Sequence, residues 1–139
     1  KSCGCVQKGG SAPIVDVLPY AGQATKHGLN MLCGPGNDMV STTALTAAGC
    51  HVILFSTGRG TPFGAPAPTL KVFTNQRLCD HKANWMDFNA GGIATGERTL
   101  DEAAHDLYQL VLETASGKLT SAERRGCHEI SIWKDGVCL

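Results

Sequence analysis

The stretch from residue 28 to residue 64 constrains the fold of this chain more than any other part of the sequence. It reads GLNMLCGPGNDMVSTTALTAAGCHVILFSTGRGTPFG, two short apolar runs separated by a segment rich in small residues. The runs over 29–33 and 52–56 are typical of strands. The second has no polar alternation, which is typical of a strand covered on both faces in a parallel sheet. The stretch therefore predicts a single βαβ unit.

The turn after the first of these strands carries the signals that begin a helix. The tripeptide GPG at 34–36 predicts a sharp turn, because only glycine enters positive φ freely and proline fixes its own φ. Asn37 can then cap a helix by accepting backbone N–H bonds, and Asp38 follows where the helix dipole favours a negative charge. We expect this helix over 37–48, with Gly49 ending it.

The second strand runs directly into the sequence TGRGTP. Ligands of open parallel sheets bind outside the carboxyl ends of the strands, and we expect both glycine-rich turns at that edge. Two glycines around an arginine leave backbone N–H groups bare beside a guanidinium that can hold an anion through two parallel bonds. The alternative is that the segment is only a tight turn. The residues predicted to bind a small carboxylate or polyol are Asn37, Thr57, Gly58, Arg59, Gly60 and Thr61.

The composition narrows the class of protein. A chain of 139 residues, 42% of them apolar, can form one domain with its own core. Its formal net charge is zero, so it has neither the basic surface of a nucleic-acid-binding protein nor a polybasic membrane patch. No apolar run approaches the ~20 residues of a membrane span. Seven cysteines without zinc-ribbon spacing favour reduced thiols in a cytoplasmic protein over disulfides or a zinc knuckle.

The rest of the chain supplies further predicted elements. They are a short helix over 12–20, a strand over 70–74, a short helix capped by Asn75, a long helix over 99–116 and a last strand over 129–133. The long helix has a capping box, Thr99 with Glu102, and a clean 3.6-residue period. In the strand over 70–74, Lys71 indicates one partly open face. Together these elements predict an α/β fold, a mainly parallel sheet flanked by helices in a Rossmann-like three-layer arrangement, with 1–27 leading into a core of 28–139.

Three more residues are candidates for chemistry. Lys8 precedes two glycines, which sets a cation beside bare backbone, although a linker would look the same. Asp87 lies in the short apolar segment WMDFN, where a carboxylate is costly unless it is paired or liganded. A capping or turn role for Asp87 is the alternative. Asn89 follows it beside the glycines that end the segment.

Several of these stretches together resemble a known family. The sequences GLNMLCGPGND, AAGCHVILFSTGRGTPFG, PTLKVFTN, NWMDFNAG and EISIWKDGVCL are similar to the carboxyl-terminal part of the altronate/galactarate dehydratase family, to which sulfolactate sulfo-lyase is related. The similarity runs in order through nearly the whole chain. PGND and WKDGVCL resemble the altronate branch in particular. Because family members are several hundred residues long, we expect this chain to be a carboxyl-terminal domain cut from a larger protein.

The resemblance implies an activity. Family members remove water from an aldonic or aldaric acid to give a 2-keto-3-deoxy sugar acid; in the altronate branch, which serves hexuronate catabolism, altronate gives 2-keto-3-deoxygluconate. They depend on a divalent metal, iron(II) or manganese(II), which would stabilise an enediolate. For this chain the resemblance implies Lys8, Asp38 and Asp87 as catalytic residues and Asn89 as a substrate ligand.

The resemblance also implies partners. They are the small sugar-acid substrate and the remaining domains of the same chain, and a homo-oligomer is left open. No metal ligands are assigned, because the sequence has no paired His/Asp spacing typical of such a site. The fragment is expected to be inactive alone.

Other functions stay open. The chain could come from a galactarate dehydratase or a sulfolactate sulfo-lyase relative, or it could be a module that binds an anion without chemistry. A nucleotide-binding unit is a further alternative. Against it, GPGND is not GxGxxG, and no acidic residue ends the second strand to hold a ribose.

Overall fold

A computed structural model describes residues 7–75 and 81–132 of the chain. Their strands form two parallel sheets with helices against them, which confirms the predicted α/β class. In the first sheet β1 (Ile14–Leu18) pairs with β2 (Leu29–Leu32). The second sheet has the order β3 (Ile53–Thr57), β4 (Thr69–Phe73), β5 (Phe88–Asn89).

The described helices are α1 (Asp38–Ala47), α2 (Gly91–Thr95), α3 (Leu100–Ala115) and α4 (Ser121–Arg124), with a 3-10 turn at Ala83–Trp85. Of these, α1 and α3 confirm the helices predicted over 37–48 and 99–116. Asn37 caps α1 by accepting from the N–H groups of Met39 and Val40 at 3.1 and 3.3 Å. Thr99 and Glu102 form the predicted capping box of α3. In the part of the chain that the structure describes, every helix is too short or too polar to cross a bilayer.

The prediction of one βαβ unit over 28–64 is wrong. Among the described residues β2 pairs only with β1, and β3 pairs only with β4, so the two strands belong to different sheets. The segment 12–20 supplies the partner of β2. It forms β1 rather than a helix, because IVDVL is rich in β-branched residues that suit a strand, and it finds a parallel neighbour.

In the second sheet, β4 is the buried strand and β3 the exposed one, which is the reverse of the prediction. β4 is the middle strand, and its Leu70, Lys71 and Phe73 are only 1%, 0% and 0% exposed. β3 is an edge strand, and its Leu54 is 54% exposed. The predicted open face at Lys71 and the predicted full cover of 52–56 are therefore both wrong. Strand order decides burial here, and alternation within one strand does not reveal it.

The strand predicted over 129–133 does not form in its described part, residues 129–132; Trp133 lies outside the described residues. The polar groups of this segment bond to a loop and a side chain. The N–H of Glu129 donates to the carbonyl of Gly64 at 2.7 Å, and Ser131 donates to Oγ1 of Thr43 through its N–H at 3.1 Å and its hydroxyl at 3.2 Å. The segment thus links α1 to the loop that follows β3.

The helix predicted after Asn75 lies mostly outside the described residues. Three of the seven cysteines lie inside them, and Cys33, Cys50 and Cys127 are free thiols. Burial raises the pKa of the Cys50 thiol.

Candidate functional site

The three strands of the second sheet end at one level. Thr57 is in register with Phe73, and Phe73 is in register with Asn89. Because neighbouring strands lie ~4.8 Å apart, the backbones of Thr57 and Asn89 are about 10 Å apart across this edge. The edge carries residues 57–64, which we call the Arg59 loop. Two of the sequence-predicted groups, TGRGT and Asn89, are therefore brought together.

Hydrogen bonds to the Thr57 hydroxyl oxygen shape the beginning of the Arg59 loop. Its Oγ1 accepts from the N–H groups of Arg59 and Gly60 at 3.4 and 3.1 Å. Gly60 has φ +74°, and a Cβ there would lie 2.6 Å from Cε1 of Phe73. Gly58 has an ordinary φ with open space around it. The fold therefore requires glycine at 60 but not at 58.

Arg59 itself is available to a ligand. Its side chain is exposed. Within the described ranges its guanidinium has no hydrogen-bond acceptor and no ion pair. A free guanidinium can bind a carboxylate through two parallel hydrogen bonds. This geometry is compatible with the anion site that the sequence predicts.

Two further cations and an aromatic ring flank the loop. Nζ of Lys82 lies 4.5 Å from the ring centroid of Trp85, and Cζ of Arg125 lies 6.0 Å from the same ring. Arg125 donates to the carbonyl of Pro62 at 2.9 Å. The aliphatic part of Lys82 is 3.7 Å from where a Cβ of Gly60 would stand. Sequence reasoning missed these residues, since no motif or spacing connects them to TGRGTP.

A buried lysine lies behind the loop. Lys71 is fully buried, and its Nζ donates to the carbonyl of Phe63 at 3.1 Å. Burial lowers the pKa of Lys71, and the positive charge of Arg125 lowers it further. Asp87, Cys127 and Glu129 oppose this shift.

Asp87 has a structural task. Its carboxylate accepts from the N–H of Lys71 at 2.9 Å, from the N–H of Ser121 at 2.6 Å and from the Ser121 hydroxyl at 2.8 Å. These bonds tie β4 to the first residue of α4, and they satisfy a half-buried carboxylate by pairing. The catalytic role predicted for Asp87 stays a prediction.

Asn89 marks the beginning of α2. Its Oδ1 accepts from the N–H of Gly91 at 2.8 Å, beside two buried glycines, Gly91 and Gly92. The side chain is thus oriented at the same edge of the sheet from which the Arg59 loop begins. A substrate-binding role for it stays a prediction.

The other predicted residues lie at the first sheet. Lys8 lines a cleft of about 380 Å³ beside Ile14 and Leu29, the first residues of β1 and β2. Asn37 and Asp38 follow the opposite end of β2. No contact gathers Lys8, Asp38 and Asp87 into one cluster. The inference that the turns 34–36 and 58–60 share an edge depended on a shared sheet, which the described strands do not form.

The GPG turn does not need its glycines for backbone reasons. Gly34 and Gly36 both lack the positive φ that the sequence led us to expect, and both have open space around them. The oxygen of Asn37 is occupied by capping, whereas Asp38 is exposed at the first turn of α1, where the helix dipole favours an anion.

The described residues do not supply a metal site. Over 7–75 and 81–132, no three His, Cys, Asp or Glu side chains come together to hold an ion. A shallow depression of about 670 Å³ lies along the beginning of α3 and shares no residue with the Arg59 loop. Its carboxylates include Glu102 of the capping box and Asp106, which pairs with Arg98, so it is a solvated helix face.

Comparison with known proteins gives a consistent relationship. The family model for D-galactarate/altronate dehydratase, C-terminal, matches residues 1–138. Altronate dehydratases of Escherichia coli (strain K12) and Bacillus subtilis (strain 168) are 47% and 45% identical over all 139 residues, which cover 28% of each relative. The galactarate dehydratase (L-threo-forming) of Escherichia coli is 41% identical over 130 residues, 92% of this chain and 25% of the relative. The chain thus spans about a quarter of the length of these relatives.

Proposed function

Because the chain belongs to the D-galactarate/altronate dehydratase family, matching the model of its C-terminal part, we propose that it is the carboxyl-terminal domain of a cytoplasmic hydro-lyase that converts altronate to 2-keto-3-deoxygluconate and water. One observation carries the choice of substrate. Identity to the altronate dehydratases extends over the full 139 residues at 45–47%, whereas identity to the galactarate dehydratase is 41% over 130 residues. The rest of the enzyme would lie in the additional length that these relatives have.

The Arg59 loop supports a role in holding the substrate. Dehydration of a sugar acid requires the loss of a proton next to a carboxylate, so positive charge and N–H groups at that carboxylate favour the reaction. Arg59 offers a free guanidinium. Thr57, Thr61 and Asn89 offer polar groups for hydroxyls along the same edge. Asn37 and Asp38 remain proposed as ligands from the first sheet.

The proposal also includes residues that transfer protons and a divalent metal ion. Lys8, Asp38 and Asp87 are the proposed proton-transfer residues. A divalent ion, iron(II) or manganese(II), would supply electrophilic stabilisation of the carboxylate when bound. The described residues do not bring together three side chains that could bind such an ion, so its ligands would come from outside them.

The test is turnover by the full-length protein. We expect 2-keto-3-deoxy acid to form from altronate at least tenfold faster than from galactarate, with iron(II) or manganese(II) supplied and removed in parallel. A preference for galactarate would move the enzyme to the other branch. Binding of both acids without turnover by the metal-supplied enzyme would favour the non-catalytic anion module.

Replacing Arg59 by lysine in the full-length enzyme is expected to lower kcat/KM for altronate by about 10- to 100-fold, which corresponds to the loss of one charge-assisted hydrogen bond. Lysine keeps the charge but cannot form two parallel bonds to a carboxylate. The thermal midpoint should hardly change, because Arg59 is exposed and has no partner among the described residues. Arg98→Lys is the control, because Arg98 lies before α3, where it pairs with Asp106, and outside the Arg59 loop. Wild-type kinetics in Arg59→Lys would rule out the clamp.

The two glycines around Arg59 are expected to respond differently to alanine. Gly58→Ala should leave the free energy of unfolding within about 0.5 kcal/mol of wild type, since nothing lies within 4 Å of its new Cβ. It should raise KM if a ligand approaches the loop backbone. Gly60→Ala should cost about 1–3 kcal/mol, since φ is positive and the Cβ meets Phe73. Equal thermal midpoints, or an unchanged KM in Gly58→Ala, would contradict this picture.

A further inference from the structure

Three charged side chains, Lys71 of β4 and Arg125 and Glu129 of the segment that follows α4, hold the second half of the Arg59 loop. The carbonyl of Pro62 accepts from Arg125 at 2.9 Å. The carbonyl of Phe63 accepts from Nζ of Lys71 at 3.1 Å. The N–H of Gly64 donates to Oε2 of Glu129 at 2.9 Å. Both ends of the Phe63–Gly64 peptide unit are therefore fixed by ionic groups.

Lys71 is an unexpected member of this set. It is 0% exposed, and no carboxylate among the described residues forms an ion pair with it. Within 7–75 and 81–132, its one hydrogen-bond acceptor is the carbonyl of Phe63. Asp87 and Glu129 favour the charged form from a longer distance, but burial outweighs them and lowers the pKa of Lys71. A buried ammonium without a direct ion pair destabilises a fold, and an apolar side chain of similar size would be favoured there on stability alone. Stability therefore does not account for a lysine at this position.

The effect of Lys71 on the Arg59 loop does account for a lysine at this position. Since the Phe63 carbonyl is bound by a fully buried ammonium, it points into the protein and not towards solvent. A carbonyl turned outwards would instead present a negative dipole end to an anion. The ammonium also places positive charge behind the loop, in a poorly solvated position where its field is weakly screened.

We infer that Lys71 is a positioning residue: through the Phe63 carbonyl, and with Arg125 and Glu129 on the neighbouring groups, it holds the Arg59 loop in the conformation that binds the substrate carboxylate. This inference rests on the function proposed above. Lys71 does not touch the substrate, because its side chain is fully buried.

The test is Lys71→Met in the full-length enzyme, with Lys118→Met, an exposed cation paired with Glu113, as the control. We expect kcat/KM for altronate to fall about a hundredfold, the size of effect that a small misplacement of a binding group produces, with most of the loss in KM. The thermal midpoint should be unchanged or higher. A retained kcat/KM, or a loss of activity that accompanies a lower thermal midpoint, would overturn the inference.

A second pair of variants and a second measurement keep the test independent of how Lys71→Met folds. Glu129→Gln keeps an acceptor for the Gly64 N–H and should retain a near-wild-type KM, whereas Glu129→Ala should not. Hydrogen exchange over 57–64 should speed up in Lys71→Met and in Glu129→Ala but not in Lys118→Met. Faster exchange in an enzyme that does not turn over altronate would reject the proposed function alone. Unchanged exchange would reject the positioning role.

Discussion

The isolated 139-residue chain is expected to unfold cooperatively on heating and to show no detectable turnover of altronate, even with iron(II) or manganese(II) supplied. Cooperative unfolding is expected because the chain has a packed interior, for example Ile53, Ala65 and Ala67 with Phe63 against them. Turnover requires an acid, a base and an electrophile around one small molecule. Here Lys8 lies at the first sheet, Asp87 is tied to Ser121, and the described residues provide no metal ligands.

The surface of the chain supports the same expectation. Large apolar side chains are exposed on several elements, namely Val17 at 71%, Leu54 at 54%, Tyr108 at 60%, Ile130 at 70% and Ile132 at 90%. Parallel sheets are ordinarily covered on both faces. A two-stranded parallel sheet that exposes apolar side chains is therefore expected to pack against a further part of the protein. We expect the isolated chain to self-associate with rising concentration, as measured by sedimentation.

The control is the full-length enzyme assayed in the same buffer and with the same metal. Metal-dependent turnover by the purified 139-residue chain would contradict the expectation, and it would mean that the whole catalytic set lies within this chain. A chain without any cooperative transition would contradict the claim of an independent core.

Local signals were enough to predict α1 and α3. Asn37 before α1 and the Thr99–Glu102 pair before α3 act within one turn of the chain, so neighbouring residues determine them. Sheet partners depend on residues far apart, and short apolar strands do not specify which strand they pair with. This is why β2 and β3 were assigned to one sheet, and why IVDVL was assigned to a helix.

The candidate site divides in the same way. TGRGTP could be found because glycine, arginine and threonine are adjacent in the sequence and follow a strand. Lys71, Arg125 and Glu129 reach the same loop from positions that no sequence spacing connects. The prediction of a partly open strand face at Lys71 is wrong for the same reason. A lysine in a strand is usually exposed to solvent, and Lys71 is buried because β4 is the middle strand of its sheet.

Gly64→Ala is expected to be the most destabilising small substitution in the Arg59 loop. Gly64 is buried, and a Cβ there would lie 2.3 Å from the carbonyl oxygen of Cys127 and 2.6 Å from Cβ of Ala122. Its φ is not in the left-handed region, so the cost is steric. Neither contact can be relieved by a side-chain rotation, because one atom is backbone and the other is a Cβ in α4.

Relief would require the segment at Cys127 to move away from the loop. That movement would break the two bonds between Gly64 and Glu129, at 2.7 and 2.9 Å. We therefore expect a loss of about 3 kcal/mol or more in the free energy of unfolding, as for severe overpacking, and a thermal midpoint lower by about 10 °C. Gly34→Ala is the matched control, since its φ is ordinary and nothing lies within 4 Å of the new Cβ. Equal midpoints for the two variants would show that segment 127–129 does not pack on Gly64 in solution, and the loop would then lack the support on which the positioning role of Lys71 depends.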